Sequence, residues 1–141
     1  MRRCFRSPVS RARLARLLGF ALLCWAGAIL WLSSLNPQEL PEAAFLFWDK
    51  FNHFSAFALG GWLATSTLRV SRPLIPTATA IVLAVLVVAA FGGVDESLQR
   101  FTPGRTGGDV YDWLADLLGA VTGALLSLPT RGRLERLLPP Q

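Results

Sequence analysis

Two separated blocks of the sequence carry the residues whose types and spacing could do chemistry. In the block from 95 to 116, carboxylates, a glutamine and arginines interrupt two long apolar runs. In the block from 49 to 53, an acid, a lysine and the chain's one histidine precede another apolar run. Carboxylates and an imidazole can move protons, and arginine suits phosphate or carboxylate groups. The candidate binding residues are Asp49, Lys50, His53, Glu96, Gln99, Arg105, Asp112 and Asp116, of which His53, Glu96 and Asp116 are the candidates for acid–base catalysis.

Several of these residues recur at the spacing of an α-helix. Residues three or four apart lie on the same face of a helix. Asp112, Asp116, Gly119 and Gly123 therefore form one stripe, and the two glycines predict that this stripe packs against other helices. Asp116 is thus expected to point into a helix bundle. The pairs that share a face are Asp49 with His53, Glu96 with Gln99, and Asp112 with Asp116.

Known catalytic and metal motifs fit the sequence poorly. With one histidine, the chain has no zinc site of the HExxH type, and Gly104 to Gly108 lacks the lysine and spacing of a phosphate loop. His53 and the carboxylates offer metal donors only if folding brings them together. We therefore predict no metal ion and no cofactor from the sequence.

The composition favours a membrane protein of one domain. The chain has 141 residues, of which 52% are apolar and 16% charged, against roughly 25% charged residues in a typical soluble domain. Its net charge of +5 comes from clusters that flank apolar runs, whereas a nucleic-acid-binding surface needs a basic face on a soluble fold. The sequence therefore predicts the lipid bilayer as a partner and excludes nucleic acid.

The apolar runs predict an all-α polytopic membrane protein, a bundle of four transmembrane helices. About 20 apolar residues cross a hydrocarbon core of ~30 Å. Proline is expected to stop the last span at Pro129. The faces with Ala56, Gly60 and Ala64 and with Gly119 and Gly123 suit close helix packing, either within the chain or in a homo-oligomer. The single domain covers 1–141, with spans at about 15–35, 51–69, 74–95 and 110–128 and short basic tails at 1–14 and 130–141.

The distribution of charge predicts the orientation. Positive residues stay on the cytoplasmic side of a membrane. Arginines crowd the two tails and the turn between spans two and three, and nearly all acids lie in the other two connectors and the adjoining helix ends. Both termini are therefore expected to be cytoplasmic, in a multi-pass protein of the bacterial cytoplasmic (inner) membrane. The candidate residues then meet on the extracytoplasmic face.

Simpler interpretations of the charged residues stay open. Charges at span ends often sit in water, which would account for Asp95 and Asp109. Arg100 suits a headgroup anchor. A salt-bridged clamp of Glu96, Arg105 and Asp112 would close the outer ends of the helices without any ligand.

Three blocks, in this order, resemble the VanZ-like membrane proteins of bacteria: D-K-x-x-H-F at 49–54, E-x-x-Q-x-F-x-P-G-R at 96–105 and D-x-x-x-D-x-x-G at 112–119. The resemblance implies a small multi-span protein of the cell envelope. The founding member of that family is associated with resistance to the glycopeptide antibiotic teicoplanin. Two departures stand out: the family commonly has Asn at the position of Asp116, and the spacer from Arg105 to Asp112 is about one residue longer here.

Three functional hypotheses follow. The first is a binding or accessory role toward an anionic envelope lipid or cell-wall precursor, linked through the resemblance to glycopeptide resistance. The second is a membrane enzyme that acts on a lipid-linked substrate with His53 and a carboxylate. The third is a small proton-coupled transporter in which Asp116 titrates. The sequence leaves open whether the chain is an enzyme.

Overall fold

Four α-helices make up the fold. The computed structural model describes residues 10–39, 49–105 and 107–135, and of 131–135 the backbone alone. No strand occurs within these ranges. The helices are α1 (Arg11–Ser34), α2 (Asp49–Ser71), α3 (Thr77–Gln99) and α4 (Val110–Glu135), and a 3-10 turn, Pro37–Glu39, follows α1.

The helices alternate in direction, so that α1 and α3 end where α2 and α4 begin. Ser33, near the end of α1, donates a 2.9 Å hydrogen bond to Asp95 near the end of α3. Lys50, at the start of α2, contacts Asp109 and Asp112 at the start of α4. We call this end of the bundle, with those five residues, the polar end. Helix α2 packs against all three other helices and lies at the centre.

Three of the four helices are long and apolar enough to cross a membrane. They are Arg11–Ser34, Thr77–Gln99 and Val110–Thr130, with 24, 23 and 21 residues. Three of the four predicted spans therefore coincide with helices that could cross a membrane, and α2 is not among these three. Its polar residues Thr65 and Ser66 are buried in the bundle, shielded by the other helices.

The small residues of α4 meet α2 at very short range. A side chain at Gly123 would overlap the backbone carbonyl of Ala58, and one at Gly119 would overlap the carbonyl of Phe54. The stripe predicted to pack against another helix therefore packs against α2 within the chain. Gly60 of α2 leaves room in the same way for the indole ring of Trp25 on α1.

Three helix ends differ clearly from the sequence-based prediction. Helix α1 begins at Arg11, before the predicted start at about 15, so the end of the predicted N-terminal tail is helical. Helix α3 runs to Gln99, past the predicted end at 95, and thereby includes Glu96. The prediction that Pro129 ends the last helix is wrong, because α4 continues through it to Glu135. Packing against neighbouring helices allows a helix to continue through a proline. Just after Pro129, Trp62 of α2 donates a 2.9 Å hydrogen bond to Thr130, which fastens this part of α4 to α2.

Parts of the predicted tails lie outside the described residues. These are residues 1–9 of the N-terminal tail and residues 136–141 of the C-terminal tail. Within the described part, the tail predicted from residue 130 begins as the last turns of α4.

Candidate functional site

The three catalytic candidates come together at the polar end, one from each of three helices. His53 of α2 lies with its Nδ1 2.9 Å from Oδ1 of Asp116 on α4. The same Nδ1 lies 4.0 Å from Oε1 of Glu96 on α3. The His53 side chain is 15% exposed, whereas Glu96 and Asp116 are 6% and 0% exposed. Two buried carboxylates therefore face one imidazole that solvent still reaches.

Asp116 lies directly above an apolar layer. A side chain at Gly92 would overlap Asp116 Oδ2 and approach the ring of Phe57, so glycine there makes room for both. Phe57, Trp25 and Phe91 form an aromatic cluster with ring centroids 5.3 to 6.3 Å apart. A carboxylate in such surroundings needs a partner, and Asp116 has His53 at one of its two oxygens.

Lys50 is neutralised by the first turn of α4. Its Nζ lies 2.5 Å from Asp112 Oδ1 and 3.2 Å from Asp109 Oδ2. The hydrogen bond from the Tyr111 backbone N–H, and after it the bond from Lys50, lower the pKa of the Asp109 carboxyl. Asp109 was expected to be merely solvated, yet it ties the start of α4 to α2.

Arg105 holds the end of α1. Its guanidinium donates to the carbonyls of Leu32 and Leu35 at 2.9 and 3.1 Å, and to the side-chain oxygen of Gln99 at 3.3 Å. The last carbonyls of a helix have no partner within the helix, so Arg105 supplies donors that α1 lacks. Within the described residues it pairs with neither Glu96 nor Asp112, so the expected clamp does not form through this arginine.

A buried polar network connects α3 to α1. Gln99 donates to Asp95 at 3.0 Å, to Ser33 at 3.4 Å and to Glu96 at 3.5 Å. Asp95 is 1% exposed, so the interpretation of this residue as a solvated charge is wrong. Helix α3 continues beyond Asp95 and carries its side chain toward Ser33, where it accepts a hydrogen bond.

The loop after Arg105 folds back onto the end of α3. The backbone N–H of Gly108 donates a 3.0 Å hydrogen bond to Glu96 Oε2. Gly108 has a φ of +87°, which disfavours any other residue, and a side chain there would overlap the guanidinium of Arg100. Arg100 thus lies over this turn, beside Glu96, and the residue is exposed. The sequence offered Arg100 only as a headgroup anchor and omitted it from the binding residues.

Two groups of side chains have the donors and the spacing to hold a metal ion. In one, His53, Glu96 and Asp116 place one donor atom each within 4.8 Å of one another. In the other, His53 does so with Asp49 and Asp112. Asp49 is exposed and Asp112 half-buried, so the first group is the more deeply enclosed.

Comparison with known proteins decides the family. The family model for VanZ/LLP1 matches residues 18–131, which include α2, α3 and most of α1 and α4. The chain belongs to the VanZ/LLP1 family. No curated protein and no solved structure matches it.

Membership in the VanZ/LLP1 family agrees with the resemblance carried by the three sequence blocks. All three blocks lie inside the matched residues, and so does every candidate site residue. Together with the three long apolar helices, the match identifies a VanZ-like membrane protein. The polar end is the part of this VanZ/LLP1 protein where ionisable groups from different helices meet.

Proposed function

We propose that this VanZ/LLP1 protein crosses the cytoplasmic membrane four times and binds an anionic headgroup of an envelope lipid or cell-wall precursor at its extracytoplasmic polar end. Arg100 is the main contact. The proposal rests on a difference in contacts between the three basic side chains of the polar end, Lys50, Arg105 and Arg100. Lys50 is held by two carboxylates and Arg105 by carbonyls of α1, so both are occupied.

Arg100 differs from both. It is exposed, and within the described residues it makes no ion pair and no side-chain hydrogen bond. A guanidinium presents several donors in a fixed plane and binds phosphate and carboxylate groups well. The Arg100 guanidinium lies against Gly108, where the absence of a side chain leaves room for it.

The surface beside Arg100 suits a lipid better than a soluble anion. Phe101 is 84% exposed and Leu98 is 48% exposed. Both lie within two positions of the cation in the sequence, at the end of a helix apolar enough to cross a membrane. Aromatic and basic residues commonly occupy the level of the headgroups. A headgroup on Arg100 would thus have its acyl or prenyl chains along α3.

The first experiment compares two arginines that differ in position. The purified full chain is mixed in detergent with phosphatidylglycerol, a polyprenyl diphosphate or zwitterionic phosphatidylcholine, and bound lipid is measured by native mass spectrometry. Arg100→Gln is expected to weaken binding of one anionic lipid about tenfold, because a hydrogen bond to a charged group contributes roughly 1.5–3 kcal/mol. The lipid that responds distinguishes a membrane phospholipid from a cell-wall precursor.

Arg72→Gln is the matched control. Arg72 is also exposed, but it lies in the turn between α2 and α3 at the opposite end of the bundle. Both substitutions remove one positive charge, so a general attraction to anionic lipid falls equally in both. Equal losses, or none in Arg100→Gln, would contradict the proposal. Any glycopeptide-resistance phenotype of the chain should likewise depend on Arg100 and not on Arg72.

A second candidate function is acid–base catalysis on the same lipid. It is favoured by the 2.9 Å contact between His53 Nδ1 and Asp116, which leaves Nε2 as the ring atom for a substrate. Turnover of the bound lipid, lost in His53→Ala while binding persists, would identify an enzyme. Binding without turnover would leave the accessory role.

A further inference from the structure

We propose that His53, Glu96 and Asp116 form a binding site for one divalent first-row metal ion. The chain's sequence predicts no metal, since the three residues are up to 63 positions apart. Folding brings them together from α2, α3 and α4. The site is separate from the Arg100 contact, and metal binding there does not depend on the lipid.

The distances between the donor atoms suit a shared ion. Two donors that are each about 2.0–2.2 Å from one ion lie no more than roughly 4.4 Å apart. His53 Nδ1 is 2.9 Å from Asp116 Oδ1 and 4.0 Å from Glu96 Oε1, both within that limit. The donor atoms of Glu96 and Asp116 lie within 4.8 Å of each other. The three donors come from three helices, so the packing of the bundle fixes their positions.

One buried carboxylate oxygen of this group lacks a hydrogen-bond partner within the described part of the chain. Asp116 is 0% exposed, and its Oδ2 has no hydrogen-bond partner among the described residues. A buried carboxylate oxygen without a partner is costly. An ion held by Asp116 would compensate the charge of the whole carboxylate, whereas the single contact with His53 reaches only Oδ1.

The neighbours of the donors hold them in place. Glu96 accepts through Oε2 from the Gly108 N–H and through Oε1 from Gln99, which fix its carboxylate. Such outer hydrogen bonds orient the ligands of protein metal sites. The ion requires the lone pair of His53 Nδ1, so the proton of the neutral ring lies on Nε2.

The donor set selects the class of metal. One imidazole nitrogen with two carboxylate oxygens suits Zn²⁺ or Mn²⁺ better than Mg²⁺ or Ca²⁺, which prefer oxygen donors only. Three protein ligands leave coordination positions for water or for an oxygen of a ligand. If the proposed headgroup function holds, that oxygen is a phosphate oxygen of the lipid. Only this assignment of the oxygen rests on the proposed function.

The test uses the metal alone. The full chain, purified in detergent and stripped with a chelator, is titrated with Zn²⁺ by calorimetry and with Mn²⁺ by electron paramagnetic resonance. One ion per chain is expected. Glu96→Gln and Asp116→Asn each remove a charged donor with little change of shape, and each is expected to weaken affinity by at least about tenfold. Using both variants keeps the test valid if one of them fails to fold.

Asp109→Asn is the matched control, because Asp109 is a carboxylate of the same end that belongs to neither donor group. It should leave the affinity for the metal ion unchanged.

Absence of metal binding to the wild-type chain would overturn the proposal, and so would equal binding by wild type, Glu96→Gln and Asp116→Asn. Loss in Asp112→Asn with full binding in Glu96→Gln would assign the ion to the outer group instead. If the wild-type chain bound no metal but bound lipid in an Arg100-dependent way, the proposed function would stand without this site.

Discussion

Two arginines five positions apart illustrate how little residue type alone says about a role. Arg105 belongs to the motif that resembles the VanZ-like proteins, yet its guanidinium reaches three oxygen atoms of the chain itself. Arg100 makes no such contact within the described residues and lies over the Gly108 turn. The first arginine supports the fold, and the second is the one that we propose as the contact for a ligand.

Arg105→Gln should therefore lower stability. The substitution removes a charged donor from the carbonyls of Leu32 and Leu35 and leaves the end of α1 without its partners. A loss of roughly 1.5–3 kcal/mol in the free energy of unfolding is expected. In a thermal melt of the purified protein, the midpoint should fall by several degrees.

Arg100→Gln serves as the control in that melt. Its exposed side chain makes no fold-stabilising hydrogen bond in the described part of the chain, so the midpoint should stay within a degree or two of the wild type. Arg105→Gln is thus expected to lower the melting midpoint, whereas Arg100→Gln is expected to weaken lipid binding. If Arg105→Gln melted like the wild type, the capping role of Arg105 would be wrong.

At the scale of the helices, the contact between α2 and α4 sets the geometry of the site. Helix α2 carries His53 and Lys50, and α4 carries Asp112 and Asp116. The two backbones approach closely because Gly119 and Gly123 have no side chains to separate them. Any separation of these helices must also move His53 away from Asp116.

Gly123→Ala should weaken the fold and the site together. The new methyl group overlaps the carbonyl of Ala58, which is rigid backbone, so α2 and α4 must move apart. Overpacking of this kind costs about 1–3 kcal/mol. The measurements are the melting midpoint and, on the same sample, Zn²⁺ affinity, and both are expected to fall.

Gly27→Ala is the matched substitution on α1. A methyl group at Gly27 meets no atom within 4 Å, and alanine favours a helix over glycine by up to about 1 kcal/mol. The midpoint should hold or rise, and metal affinity should not change. A Gly123→Ala variant that behaved like Gly27→Ala would contradict the role of the short α2–α4 distance.

The sequence predicted these helices better than it predicted their ends. Charge-free runs and the spacing of Asp112, Asp116, Gly119 and Gly123 were sufficient to predict the helices and the packed stripe. Pro129 was misleading, because a contact with another helix, from Trp62 to Thr130, holds α4 in place beyond the proline. Asp95 was misleading for the same reason, since Ser33, its partner, lies 62 positions away.

For the whole molecule, the alternating directions of the helices bear on whether α2 crosses the membrane, which hydropathy alone does not decide. Helices α1, α3 and α4 are apolar enough to cross a membrane, and α2 is not by composition. Yet α1 ends at the polar end and α3 begins at the opposite end. Helix α2 must return the chain between them, so if its neighbours span the bilayer, α2 spans it too. Its buried Thr65 and Ser66 then face protein and not lipid.

This argument predicts where reporter domains will lie. Alkaline phosphatase, which is active only outside the cytoplasm, should be active when it follows Phe101 and inactive when it follows Arg72. Green fluorescent protein fused after Gln141 should fluoresce, because the C-terminus is expected in the cytoplasm. An active phosphatase at the C-terminus would reverse the orientation, and activity after both Phe101 and Arg72 would mean that α3 does not cross. The first result would move the polar end away from extracytoplasmic lipids, and the second would remove α3 from the membrane-spanning helices. In both cases the internal geometry of the His53, Glu96 and Asp116 donors would be unchanged.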